Sequence, residues 1–471
     1  MSDSGLYAKL TEKLIRKYTA MENNTNKSGL NRRKFLGSTA LAGIGIIGAS
    51  AFISGCKNTK TAKELGLPPI LKGAPKGKKL RAGLVGAGNR GTGAALNFIG
   101  SGPDLHIVAI ADVFQDKIDE CRQRLAKLKM EVPAENCFSG FDAYKKLMAL
   151  KDLDVVILAT PPQFRPEHFK EAVMQNKHVF MEKPVAVDPV GIRSVIASAK
   201  KAQAIGLNVV TGTQRRHQQD YIETYQQVAN GAIGKLVSAR AFWNQNHVWF
   251  RTREEGWDDM TYMIRNWNNF VWLCGDHILD THVHNIDVIN WFLGKQPESA
   301  IGYGGRARRL TGDQYDFFSI DFDYGGGVFS HSMCRQIDNC ANGTGEFIMG
   351  TEGYTNCVNT IWNLDGSVKW KFEYEKDENG NETNHIKIPP YVQEHMHLVH
   401  AIRTGEYVNQ AEETALSTLT AIMARTAAYT GKKVTWEEIY KSDMDLGPKE
   451  IAFGPVDMQF EVPIPGTAHK G

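Results

Sequence analysis

Residues 275–287 read GDHILDTHVHNID and place three histidines and three aspartates in thirteen positions. Such a set could bind a metal, solvate a helix surface or move protons. A helical zinc pair wants two histidines four apart on one face, as in H-E-x-x-H. Here they stand at 277, 282 and 284. The spacing instead puts Asp280, His284 and Asp287 at i, i+4 and i+7, on one helix face. It turns His282 about 200° away from Asp280 at ~100° per residue. An imidazole titrating near ~6.5 beside a carboxylate suits proton transfer at neutral pH. The spacing argues against a helical zinc pair and leaves a helix surface and acid–base chemistry open.

An acid–base pair needs a scaffold and a reaction partner, and the stretch KKLRAGLVGAGNRGTGAALNFI supplies both. An apolar strand at residues 80–85 runs into a glycine turn, and a helix starts near Arg90. Gly86, Gly88 and Gly91 fit G-x-G-x-x-G: one for the tight turn, one for backbone approach to a pyrophosphate, one for close helix packing. Asn89 and Arg90 fill the turn, and the helix N-terminus offers free N–H groups to phosphate. The next strand ends in Asp112, placed to accept from the adenosine ribose. Val113 and Phe114 follow with no adjacent Arg or Lys for a 2′-phosphate, which favours NAD over NADP. Further strand and helix patterns alternate to residue 212, the signature of a doubly wound parallel sheet. Ligands bind at the carboxyl ends of such strands, which lines up Thr160, Pro161, Glu182, Lys183 and Gln214 along one crevice.

A Rossmann unit followed by MEKP at residues 181–184 resembles the Gfo/Idh/MocA oxidoreductases, the glucose–fructose oxidoreductase and inositol dehydrogenase family. The resemblance covers roughly residues 78–445. It implies an α/β fold: the Rossmann domain, then an α+β domain with a large open, mostly antiparallel sheet whose exposed face often makes a dimer. It also implies that Lys183 stands by the nicotinamide and the reacting hydroxyl, and that Asp280 and His284 complete the catalytic set. Two departures, His282 and the lead-in CGDH, point to a subgroup. In the expected reaction His284 takes the hydroxyl proton, Lys183 stabilises the developing carbonyl oxygen and Asp280 orients the imidazole. Arg215 and Arg216, just past a strand, and Trp249, Arg265 and Trp267, crowded with His247, Trp257 and Asn268 ahead of the catalytic helix, are the expected substrate contacts. Tryptophan faces suit sugar C–H faces. His395, His397 and His400 share one later helix, expected on the crevice wall.

Ahead of the fold, NRRKFLG places Arg32 and Arg33 before an apolar run at residues 41–53 that is too short for a confident span. The run ends in ISGC. This resembles a Tat export signal with a lipoprotein box at Cys56, and so a periplasmic, lipid-anchored protein. Met21 is the expected start, because signals usually begin near the start codon. The domain plan is signal and extension 1–56, linker 57–77, Rossmann domain 78–212, substrate and dimerisation domain 213–445 and tail 446–471. Basic and acidic side chains number 55 and 52, a net charge of +3, which argues against nucleic acid as a partner. The other six cysteines form no CxxC pair, so neither structural zinc nor a disulfide framework is expected. The expected partners are a carbohydrate or polyol and other copies of this chain, as dimer or tetramer. An exported dinucleotide enzyme must retain its cofactor. The leading reading is an NAD-dependent oxidoreductase acting on a sugar, polyol or glycoside hydroxyl. The alternative is a glycosidase working by transient oxidation and elimination; exported relatives of that kind tend to lack the E-K-P lysine. A sugar sensor on the same fold would need no proton acceptor.

Overall fold

The computed structural model describes residues 59–467, apart from 379, 384 and 459. The export signal, Cys56 and Met21 lie outside the described residues.

A six-stranded parallel sheet holds β1 (Leu80–Val85), β2 (Leu105–Asp112), β3 (Cys137–Ser139), β4 (Val155–Leu158), β5 (His178–Met181) and β6 (Val209–Thr211), in the order β3-β2-β1-β4-β5-β6. That is the doubly wound order whose ligand crevice opens where the strand order reverses, beside β1. β1 and β4 are almost wholly buried, as strands covered on both faces must be. The helices α1 (Asn89–Gly100), α2 (Gln115–Ala126), α3 (Ala143–Met148), α4 (Arg165–Met174) and α5 (Pro189–Ala204) connect them. The edge strand β3 is three residues long and was not among the expected elements.

After α6 (Gln219–Ala229) comes the second sheet: β7 (Leu236–Gln245), β8 (Ser299–Gly305), β9 (Phe317–Asp323), β10 (Phe329–Gln336), β11 (Gly343–Gly350), β12 (Tyr354–Thr355), β13 (Thr360–Trp362), β14 (Val368–Lys371) and β15 (Val434–Thr435). Only β7 and β10 pair in parallel; the rest of this nine-stranded sheet is antiparallel. The fold is thus a Rossmann domain joined to a large open, mostly antiparallel sheet. Between β7 and β8 lie α7 (Asp259–Arg265), α8 (Val271–Cys274), α9 (His277–Asp280) and α10 (Val283–Leu293). The chain closes with α11 (Pro390–Thr404), α12 (Ala411–Thr430) and α13 (Trp436–Lys441).

One apolar core runs through both sheets: Val156 and Leu158 of the first, Phe318 and Ile320 of the second, with α10 and α12 between them. A second core beneath β1 takes in Val392, Met396 and Val399 of α11. That helix, late in the chain, therefore packs with the Rossmann sheet. The segment at residues 69–78 is also tied down, through Arg403 to the carbonyls of Pro75 and Lys78. The two sheets are one packed body, which fixes the crevice between them.

Candidate active site

The glycine turn is built as its spacing requires. Gly86 has φ +93°, and a Cβ there would meet the Ala159–Thr160 backbone at 2.7 Å. A Cβ on Gly91 would stand 1.7 Å from the Gly86 carbonyl oxygen. Around Gly88 nothing lies within 4 Å of a Cβ position, so its approach side is open. No side chain caps the N-terminus of α1, and its first turn carries no acid. Exposed Asn89 and the backbone of Arg90 lie in this uncapped turn. The open cradle and free N–H groups fit a pyrophosphate. Asp112, at the end of β2, accepts from the N–H of Ala87 at 2.6 Å and of Phe114 at 2.9 Å. Its carboxylate thus ties the strand end to the turn, while burial raises its pKa.

The rest of the crevice follows the strand ends. Buried Thr160 lies 3.2 Å from His168 Nδ1, and Pro161 leads into the turn at Pro162–Phe164. Gln214, buried, keeps an Oε1 that meets no donor within the protein. Arg90 does not extend towards the open side: its guanidinium pairs with buried Glu182, lies 3.3 Å from buried Glu394 and stacks on Tyr391. Burial and then the charge of Glu182 push the Glu394 carboxyl well upward, against the Arg90 cation that lies between the two carboxylates.

Lys183 follows β5, and Asp280 and His284 arrive from the second domain. The Lys183 ammonium donates to the Asp280 carbonyl and lies 3.9 Å from its carboxylate. Burial lowers its pKa, against the opposing charges of Asp280 and Glu182. His284 is buried with its ring stacked 6.0 Å from Trp243. Burial and then Lys183, Arg215 and Arg90 hold it well below 6.5, so the imidazole is neutral. Arg165, buried under the loop, donates to the Pro184 carbonyl, and burial pulls it down to about 10. The arrangement can bind an oxygen at Lys183 and accept a proton at His284.

Several expected placements change. Asp280 and His284 do not share one straight helix. The His277 carbonyl accepts from both Thr281 (2.9 Å) and His282 (3.2 Å), a one-residue slip that separates α9 from α10. His282 turns to Ser332 at 2.7 Å, and burial pushes its pKa down to about 3. Asp287 is not part of the reaction centre: it takes both arms of Arg216, at 2.8 and 3.0 Å, and the Ser417 hydroxyl. Arg216 also meets Glu413 at 2.9 Å, so each of its three nitrogens is engaged within the protein. Arg215 pairs with buried Glu346, lies over Trp243 at 5.5 Å and remains on the site wall beside His284. Arg265 reaches the Rossmann side instead of substrate, bonding both oxygens of Asp116. Trp249, 46% exposed, meets Trp267 edge to face. His397 packs against His217 and His395 against Phe180, both inside the protein.

Sequence reasoning missed Glu346, Glu394 and Arg165. Each is a charged residue in an ordinary element, and only tertiary burial distinguishes it. Two cavities, of about 400 and 450 Å³, are lined by neither Lys183 nor His284.

Comparison with known proteins agrees with this fold. Residues 80–210 match the GFO_IDH_MocA description, "Oxidoreductase family, NAD-binding Rossmann fold", and residues 221–355 match its "GFO/IDH/MocA C-terminal domain". Over 221 residues, 47% of each chain, this one is 26% identical to a "Glycosyl hydrolase family 109 protein" of Shewanella pealeana. It is 24% identical over 222 residues, again 47% of each, to an "Alpha-N-acetylgalactosaminidase" of Shewanella oneidensis. These matches span about half the length of the curated relatives. In structure it is similar to the aldose–aldose oxidoreductase of Caulobacter crescentus (TM-score 0.58, 18% identity, 76% of this chain and 100% of that one). It is also similar to the scyllo-inositol dehydrogenase of Lactobacillus casei solved with NAD(H) and scyllo-inositol (TM-score 0.57, 20% identity, 76% and 99%). At such identities the structural likeness bears on the fold. The two family matches together span more than half of the 471 residues, and the chain belongs to the Gfo/Idh/MocA oxidoreductase family, with an NAD-binding Rossmann domain.

Proposed function

We propose that this protein is an exported, lipid-anchored NAD-dependent oxidoreductase that removes hydride from a hydroxyl-bearing carbon of a sugar, polyol or glycoside and keeps its dinucleotide bound. The observation that carries the reading is the meeting of Lys183, which follows β5, with Asp280 of the second domain, together with the charge of Lys183 acting on buried, neutral His284. Bound with its pyrophosphate at the turn, NAD supplies the hydride acceptor. The chain's own residues do the rest. Lys183 donates a hydrogen bond to the substrate oxygen and stabilises its negative charge as the proton leaves. His284, kept neutral, takes that proton. Asp280 holds Lys183 and balances its charge. Arg215 and Trp243 wall the site, and Trp249 and Trp267 offer aromatic faces at its mouth. NAD is preferred over NADP because the Asp112 carboxylate would repel a 2′-phosphate. Arg32, Arg33 and Cys56 support export and anchoring.

A second reading has a specific observation in its favour. Relatives carry glycosidase names, and the same residues could oxidise a glycoside, allow elimination of the aglycone, let water add to the unsaturated ring and return the hydride to it. Incubating the purified protein with a panel of sugars, inositols and aryl glycosides separates the two. Keto-sugar accumulating in step with reduced nicotinamide supports the first. Aglycone release with no net redox change supports the second. Neither outcome, with binding intact, removes the enzymatic assignment.

A further inference from the structure

The strand ends beyond Asp112 carry an apolar cluster shared with the second domain and the tail. Three aromatic rings follow strand ends of the first sheet: Phe114 after β2, Phe141 after β3 and Phe164 after β4. They pack into a separate apolar cluster with Met260, Met263, Phe270 and Trp272 of the second domain and with Leu446, Val456, Met458 and Phe460 of the tail. Phe453 of the tail lies 5.0 Å from Phe141 and 6.2 Å from Phe114. The tail is pinned by Met260 N–H to the Gly454 carbonyl (3.1 Å) and Val456 N–H to Asp259 (3.2 Å).

Arg265 is the centre of this closure. It ends α7, yet it reaches into the Rossmann domain, with one nitrogen 3.0 Å and another 2.7 Å from the two oxygens of Asp116, at the start of α2. Its guanidinium carbon stands 3.9 Å from the centre of the Phe114 ring, two residues beyond Asp112. The Nε–H is buried and meets no acceptor in the protein. A cation held over Phe114, with Trp257 at 5.3 Å and an unmatched Nε–H, beside the carboxylate placed for the adenosine ribose, is suited to an acceptor-rich base.

We infer that Arg265 and Phe114, backed by the tail at residues 446–460, form the wall that binds the adenosine half of the dinucleotide and slows its release. The inference rests on the retained-cofactor reading for its biological meaning, but its test does not. Leaving requires the Arg265–Asp116 bridge and the tail to part, because both cross from the second domain to the strand ends.

The test compares wild type with Arg265→Ala and with a chain truncated after Gly447. Each is loaded with NAD and then chased with an NAD-consuming enzyme. Affinities for ADP-ribose and for nicotinamide mononucleotide are measured separately. The expected result is release at least about tenfold faster in both variants. ADP-ribose binding weakens in parallel, and nicotinamide mononucleotide binding is unchanged. Melting curves confirm folding; should Arg265→Ala fail to fold, Arg265→Lys keeps the charge, loses the planar guanidinium and is read by the same two affinities. Wild-type release rates and ADP-ribose affinity in the folded variants would overturn the inference. If wild type purifies without NAD, the retained-cofactor reading fails, while the ratio of release rates still decides this one.

Discussion

Burial, and then the charges of Lys183, Arg215 and Arg90, hold the imidazole of His284 in its neutral form. In the proposed reaction that neutral ring is the base. Lys183, lowered by its own burial, remains the donor until pH approaches its shifted value. The signs fix a pH profile. Both groups have depressed values, so the acid limb of kcat/KM for oxidation lies below 6.5 and the alkaline limb below 10.5. A steady-state profile with its acid limb at or above 6.5 would remove His284 as the base. Arg216 makes the opposite kind of statement. It is a buried partner of Asp287, so Arg216→Ala leaves that carboxylate uncompensated and costs about 3–5 kcal/mol. Chemical denaturation should show this loss, while KM in the surviving folded enzyme stays near wild type. A large rise in KM without loss of stability would restore Arg216 to the substrate site.

At the scale of elements, the strands and glycine turn were legible because their causes are local. Continuous apolar runs, turn glycines and a strand-end acid carry their own geometry. The stretch from Asp276 to Asp287 was legible in composition and not in shape. Its periodicity reads as one helix, but Asp276, at φ +76°, is held by the Tyr315 N–H and the Tyr429 hydroxyl, and His282 by Ser332. Those partners lie 39 or more residues away, and they impose the slip at Thr281 and His282. The roles of Arg216 and Arg265 were hidden for the same reason: their acids, Asp287 and Asp116, are 71 and 149 residues distant. Glycine chemistry gives a paired test. Gly88→Ala has room for its methyl and an ordinary φ of −64°, so it should melt with the wild type and lose dinucleotide affinity. Gly91→Ala would drive a Cβ to 1.7 Å from Gly86 O and should lose about 1–3 kcal/mol of stability as well. Equal melting temperatures in the two variants, read by calorimetry, would contradict this division.

The whole molecule presents one sheet face to its own core and the other outward. Ile301, Tyr303, Phe329, Phe347 and Met349 are each at least 41% exposed on the second sheet. An apolar face of that kind marks an interaction surface. The protein is expected to sediment as a homo-oligomer, and Phe329→Glu with Phe347→Glu to shift it towards monomer; a wild-type monomer at micromolar concentration would contradict this. The two domains also meet where chemistry needs them, since Lys183 comes from one and His284 from the other. That meeting is the central claim, and rapid mixing tests it most directly. NAD-loaded wild type, Lys183→Ala and His284→Ala are mixed with the sugar that wild type oxidises, and the absorbance of reduced nicotinamide is followed through one turnover. The account predicts a burst in wild type and a rate at least about 100-fold lower in each variant with NAD still bound. A burst at the wild-type rate in either variant would contradict it.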